Sequence, residues 1–238
     1  MIERIKKVLI ETVPRHLLID LYDMSASRAL AAFEMIRDHA GLDTKRAREA
    51  EGQVRFRMRE KGFHDLCETH GGTPLEGGLI PGSDLRVFQP FMRFQGPTIG
   101  VILGLASMQE RHKVPVKNQS RSAGVTLNYN FTPRLDFDGT GPKPSDIFVL
   151  FLIARDPNRA GKVEEVAIGL IDSAFKDFVF YETIEQFISG YVDLPDDEHG
   201  REERAGSEPL VKLKAAATPF VPPEIPSNDS DENQSDGK

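Results

Sequence analysis

Three aspartates, Asp136, Asp138 and Asp146, fall within eleven residues of one another. If residues 136 to 138 are extended, the first two carboxylates share a face, and the following loop can return Asp146 beside them. Clustered carboxylates suit Mg²⁺ or Mn²⁺, because hard cations prefer oxygen ligands. Just upstream the sign of the charge reverses. Residues 73–127 carry 6 bases and 3 acids, and four of the bases are Arg111, Lys113, Lys117 and Arg121. Asn118, Ser120 and Ser122 lie in the same stretch and can bond phosphate oxygens together with backbone N–H groups. Cations that neutralise phosphates beside acids that hold a metal are the parts of a phosphodiester or nucleotide site. Arg111, Lys113, Lys117, Asn118 and Arg121 are therefore candidate phosphate or nucleic-acid contacts. Asp136, Asp138 and Asp146 are candidate metal ligands. The plainer account is an exposed basic loop followed by solvated turn acids.

A second basic concentration runs from Lys45 to Lys61, with Arg46, Arg48, Arg55, Arg57 and Arg59 inside it. Four acids interrupt it, leaving a net of +3 from Asp43 to Lys61. Read as a helix, these cations wrap around the axis instead of forming one stripe, and a solvated element is the expectation. His64, Cys67 and His70 sit three apart, but six residues spread them over about 120° of a helix, too far for one ion. A buried structural cysteine flanked by surface histidines fits better. No phosphate-binding glycine loop, dinucleotide fingerprint, HExxH, paired CxxC or GxSxG is present. No Glu-x-Lys occurs either, which argues against nucleases built on that pair.

The string Leu135-Asp136-Phe137-Asp138-Gly139-Thr140 resembles the first motif of the haloacid dehalogenase-type phosphatases. That resemblance implies Asp136 as phosphoryl-accepting nucleophile, Asp138 as acid/base, and Mg²⁺ between them. It covers six residues, and the family places this motif at the end of a buried parallel strand. Here Pro133 precedes it and a hairpin pattern follows, so a turn supplied by Asp-Gly is the reading of the residues themselves. The same stretch is similar to an EF-hand loop at Asp136, Asp138, Thr140 and Gly141, but the twelfth position is Ile147, not the required Glu.

The elements that must position these groups change character near Gly72. Before it the pattern is helical. Ile2, Ile5, Val8 and Leu9 share a face and Pro14 ends the segment. Ser25 or Ser27 is expected to cap a second helix carrying Leu30, Phe33 and Ile36, stopped by Gly41. Asp43 starts a third helix reaching Gly71-Gly72. Its Val54, Phe56 and Met58 alternate with arginines as a strand would, but no turn chemistry separates them from the helix formers before. After Gly72 the period is that of strands. Leu85 to Phe94 reads as an edge strand because of Pro90. Thr98 to Ala106 carries Gly100 and Gly104 on one face, which predicts a helix or ligand approaching closely. Asp146 to Ala154 reads as a central strand buried on both sides. It forms an antiparallel hairpin with the run around Val166 to Leu170, through Asp156 to Gly161. Thr183 with Gln186 predicts a capping box for a short closing helix. The expected class is α+β with a largely antiparallel sheet: a helical region at 1–72, a β-sheet domain at 73–192 forming one body with it, and a tail at 193–238.

The formal net charge of the 238 residues is −7, and all of it comes from the tail. From Asp193 onward there are 12 acids and 5 bases, whereas the first 192 residues hold 25 of each. The tail combines acids with Ser, Asn and Pro, a composition that predicts disorder. Its Leu210 to Lys214 and Phe220 to Pro226 are apolar enough to dock a partner. The longest apolar run, Ile147 to Ala154, is far short of the roughly 18 residues a membrane helix needs. The N-terminus lacks the pattern of a secretory signal, and one cysteine fits a reducing compartment. The leading expectation is a cytoplasmic protein that binds nucleic acid or a polyphosphate, with an acidic regulatory or partner-docking tail. The alternative is a metal-dependent phosphodiesterase or nuclease using the aspartate cluster with Mg²⁺ or Mn²⁺.

Overall fold

The computed structural model describes residues 1–75, 89–97, 99–131 and 146–193. All of them belong to one compact unit, Met1–Pro195. Asp136 and Asp138, residues 85–88 of the expected edge strand, and the tail beyond Asp193 lie outside the described residues.

Three helices come first. α1 (Ile2–Thr12) buries Ile5 and Leu9, and the chain turns at Pro14. α2 spans Arg15–His39 without a break, so Ser25 and Ser27 are interior residues and not caps. The reason is the apolar series Leu17, Leu18, Leu21 and Met24, all buried, which extends the amphipathic face upstream to Pro14. Each serine returns its hydroxyl to its own helix, Ser25 to the Leu21 carbonyl at 2.7 Å and Ser27 to that of Met24 at 3.0 Å. The buried face downstream is Ala29 and Ala32, while Leu30 is exposed. Gly41, at φ +58°, ends α2 as expected. α3 (Thr44–Thr69) begins at Asp43, whose carboxylate accepts from the amides of Lys45 and Arg46 at 3.1 Å each. Residues 54–59 are helical within it.

The sheet has six strands in sequence order: β1 (Thr73–Pro74), β2 (Phe91–Phe94), β3 (Gly100–Met108), β4 (Asp146–Arg155), β5 (Val163–Ile171) and β6 (Phe178–Thr183). Neighbours are antiparallel except β3 and β4, which run parallel from Gly100↔Asp146 to Met108↔Ala154. The sheet is therefore mixed. A parallel pair requires a crossover, and its described part holds α4 (Gln119–Val125) and the 3₁₀ turn Thr126–Phe131. β2 lies between β1 and β3, so Phe91–Phe94 is not an edge; Pro90 stands just before the ladder and removes nothing from it. Among the described residues no helix is long and apolar enough to cross a membrane.

Alternation along the strands divides the core. Val101, Leu103, Val149 and Phe151 face the helical layer, meeting Leu9, Leu17, Leu21 and Phe63. Ile102, Ala106, Phe148 and Leu150 face the crossover, meeting Val125 and Leu127. Covered on both sides, β4 has to be apolar at successive positions, which is why its run is unbroken. The close approach expected at Gly104 is made by side chains: a Cβ there would lie 3.1 Å from the rings of Phe91 and Phe148. Gly124 of α4 is the counterpart, with the Phe148 ring 2.7 Å from where its Cβ would stand. α5 (Ile184–Ser189) closes the unit with the expected capping box of Thr183 and Gln186.

One polar side chain joins the layers at depth. The β4–β5 ladder ends at Leu150↔Gly169. Two residues further along β4, the fully buried Asn128 takes over: its amide donates to the carbonyls of Phe148 (2.8 Å) and Ile171 (2.9 Å), and its oxygen accepts from Phe148 N–H (2.9 Å).

Candidate functional site

Helix geometry places residues three and four apart on one stripe. In α3 that stripe is Arg48, Glu51, Arg55 and Arg59, and its inner part turns toward the sheet instead of solvent. The sequence expectation that these cations wrap around the helix without a common face is thus corrected for Arg48, Arg55 and Arg59. Arg59 is 4% exposed and Glu51 8%. Arg55 pairs with Glu51 one turn away. Arg59 donates from Nη2 and Nε to the Ser25 carbonyl of α2, at 3.1 and 3.3 Å.

Arg155, the last residue of β4, completes the group. It leaves the sheet where β3 also ends, and the two parallel strands present their C-terminal ends side by side. Arg55, Arg59 and Arg155 line a hollow of about 380 Å³, floored by Met108 and Ile153 and edged by Ser107 and Gln109. A second hollow of about 470 Å³ shares Arg155 and Pro157 with the first and adds Phe33, Leu42 and Arg48. The loop carrying Pro157 is held by Asp156, whose carboxylate accepts from the amides of Asn158 (2.9 Å) and Arg159 (3.0 Å). Donation from the Asn158 amide and from Arg159 holds the Asp156 carboxyl below its ordinary range.

The electrostatics follow from the burial. Glu51 and Arg55 cancel each other. Among the described residues no carboxylate is within ion-pair reach of Arg59 or Arg155, so about two positive charges stay uncompensated. Desolvation, with the positive charge of Arg55 beside it, pushes Arg59 down to about 10. Arg55 is lowered as well, by burial and in part by Arg155. Three cations held together in a part-closed site disfavour one another, and an anion placed among them relieves that repulsion.

The sequence-designated cations do not converge in this way. Arg111 pairs with Glu164 at 3.1 Å and Lys113 with Glu110 at 2.6 Å. The Lys117 ammonium lies 5.8 Å from the centre of the Phe175 ring. Asn118 is the N-cap of α4, its oxygen accepting from the Arg121 amide at 2.8 Å. Arg121 turns its guanidinium back onto the Val116 carbonyl, and its Nε is buried without a partner. Burial lowers its pKa. The loop leaves from the same end of β3 as the arginine hollow, with Arg111, Lys113 and Lys117 exposed along it.

Asp146 is 2% exposed and its two oxygens accept from Arg93 Nε at 2.7 Å and Nη2 at 3.0 Å. Gly100 leaves the space for this pair: a Cβ there would stand 2.4 Å from Asp146 Oδ1. The carboxylate thus joins β2 to the start of β4. Asp146→Asn is expected to lower stability by about 1–2 kcal/mol through loss of the charge-assisted bonds, read as a shift in the urea midpoint at constant slope. An unchanged midpoint would remove Arg93–Asp146 as a structural pair. Among the described residues no group of three or more His, Cys, Asp and Glu side chains is placed to hold a metal ion. Cys67 is buried, which pushes its thiol up, and His70 instead bonds Asp20 at 2.7 Å.

The chain matches no known protein family, no curated protein and no solved structure. The 3-4-4 spacing of Arg48, Glu51, Arg55 and Arg59 was present in the sequence as a signal for one face. What it lacked was any indication that the face turns inward.

Proposed function

We propose that this protein binds a phosphate-bearing ligand, nucleic acid or another polyphosphate, and that the arginine hollow at the ends of β3 and β4 is where the phosphate is held. The observation that carries the reading is Arg59: a cation this buried, with no carboxylate in ion-pair contact among the described residues and only the more distant charge of Glu51 opposing, is costly in the free protein. A bound anion offsets that cost. Arginine suits the task, since its planar fork matches phosphate oxygens in pairs. Lys117, exposed on the loop that leaves the same end of β3, offers a further cation for a longer polyanion, while Arg111 and Lys113 face it already paired with Glu164 and Glu110. The acidic segment from Asp193 onward belongs to the same proposal as a regulator of binding or a docking segment for a protein partner. The reading is of a binding protein located in the cytoplasm.

Titration of a labelled single-stranded oligonucleotide and of tripolyphosphate into the full chain tests this. Binding is expected at low salt, weakening as salt rises. Arg155→Gln is expected to reduce affinity about ten- to a hundredfold, the value of one charge-assisted contact. Absence of binding to both ligands, or an Arg155→Gln variant that binds as well as the wild type, would overturn the reading.

A further inference from the structure

The two hollows differ in chemistry, and the difference bears on which phosphate enters. The first gathers Arg55, Arg59 and Arg155 over an apolar floor. Its floor, Met108 and Ile153, is almost wholly buried, and Arg59 beside it is 4% exposed. A phosphate reaching Arg59 has to lead with its free oxygens. A phosphodiester inside a chain carries an ester arm on each side, and with Met108 and Ile153 buried beneath it both arms have to leave on the solvent side. A terminal phosphomonoester has one arm, which leads outward past Arg155.

Charge gives the same answer. Among the described residues one carboxylate, Glu51, faces Arg55, Arg59 and Arg155, which leaves a net of about two positive charges. A phosphomonoester carries a charge of about −1.5 to −2 near neutral pH, whereas an internal diester carries only a single negative charge. The monoester matches the hollow, and the diester leaves a buried cation unpaired.

The second hollow takes the arm. It begins at the shared Arg155 and Pro157, and its wall is the Phe33 ring with Ile36 and Leu42. Thr44 and Asn158 stand among them as hydrogen-bonding groups, and Arg37, Arg48 and Glu51 add charged ones. An apolar and aromatic wall with a few polar groups suits a nucleoside, whose flat base packs on the wall and whose sugar and base edges need polar partners. A bare alkyl chain would leave those groups unused. Volumes of about 380 and 470 Å³ are each within the range of small-ligand sites.

We infer that the ligand is a nucleoside bearing a terminal phosphomonoester, with the phosphate among Arg55, Arg59 and Arg155 and the base against Phe33 and Leu42. The inference rests on the phosphate-binding reading above. Two sources carry this chemistry, a free mononucleotide and the phosphorylated end of a nucleic-acid strand.

Calorimetric titration of the full chain with four probes tests it: inorganic phosphate, a nucleoside 5′-monophosphate, and one short single-stranded oligonucleotide with and without its 5′-phosphate. The phosphorylated oligonucleotide is expected to bind at least tenfold more tightly than its 5′-hydroxyl twin. The mononucleotide is expected to bind at least tenfold more tightly than inorganic phosphate. Leu42→Ser, a neutral change at an exposed position whose replacement leaves the core intact, should weaken the mononucleotide about tenfold and leave inorganic phosphate unchanged. A mononucleotide that binds with the oligonucleotide failing points to the free nucleotide. The converse, in which only the phosphorylated strand binds, points to strand ends. Two oligonucleotides that both bind, and with equal affinity, would overturn the inference while leaving general phosphate binding standing. Failure of all four probes, together with tripolyphosphate, would remove both.

Discussion

Replacing Arg59 by Met is expected to make this protein more stable and to abolish its hold on phosphate. Arg59 gives two hydrogen bonds to the Ser25 carbonyl, but that carbonyl lies in the interior of α2 and keeps its helical partner when the guanidinium is removed. The charge itself is unfavourable where it sits, since burial and Arg55 together pull its pKa down to about 10. A base whose folded pKa lies below its unfolded value costs stability in full at any pH under the folded value. That cost shrinks only as pH rises from about 10 toward the unfolded value, so it is complete at neutral pH. Methionine fills similar space without charge. The expected gain is about 1–2 kcal/mol, which for a unit of this size raises Tm by about 2–8 °C. The same variant should lose the ligand-induced rise in Tm that nucleotide or tripolyphosphate gives the wild type. Scanning calorimetry with and without ligand reads both quantities. A variant destabilised by more than about 2 kcal/mol would show instead that the bonds to Ser25 outweigh the buried charge, and that Arg59 is a tie between α2 and α3.

Asn128→Leu, in the crossover turn that packs on the sheet, is expected to be strongly damaging. The side chain is close to isosteric, so packing against β4 changes little. What is lost is the amide that serves Phe148 N–H, Phe148 C=O and Ile171 C=O. All three are backbone groups in a region with no access to water, and each one left unpaired costs about 1–3 kcal/mol. Some relaxation follows, and a loss of about 4 kcal/mol is the expected sum, seen as a large fall in the urea midpoint. Asn128→Asp separates the contributions. It keeps the acceptor for Phe148 N–H but places a carboxylate against two carbonyls, so it should be at least as harmful at pH 8 and milder at low pH. A loss under about 1 kcal/mol for Asn128→Leu would mean that β4 and β5 close the gap directly.

Both results depend on features the local sequence does not display. A mid-chain Asn in Thr126–Phe131 has the composition of a turn, and its role follows from lying opposite the point where the β4–β5 ladder stops. The arginines of α3 form a recognisable stripe, but charged stripes usually face water. This one faces inward because core packing fixes α3 against the sheet, which sets Arg55 and Arg59 beside Arg155 at the end of β4. The aspartate cluster shows the reverse. Asp146 carries the residue type of a metal ligand, yet its carboxylate is taken by Arg93, which is 53 residues away in the chain and reached only through the register of β2, β3 and β4.

The sequence by itself determined the features controlled by near neighbours. These are the start of α3 at Asp43, the end of α2 at Gly41, the Thr183–Gln186 box, and the hairpin of β4 with β5. The unbroken apolar run of β4 also belongs here, since a strand covered on both faces can be composed in no other way. Each depends on residues a few positions apart, where backbone geometry and hydrogen-bond chemistry suffice. Only the tertiary structure decided that β3 and β4 run parallel. Strand direction depends on what a crossover of 37 residues does, and no local period records it. Only the tertiary structure decided, too, which basic group gathers into a site. Like charges come together where packing energy from elsewhere in the fold holds them, here the core that fixes α3 against the ends of β3 and β4.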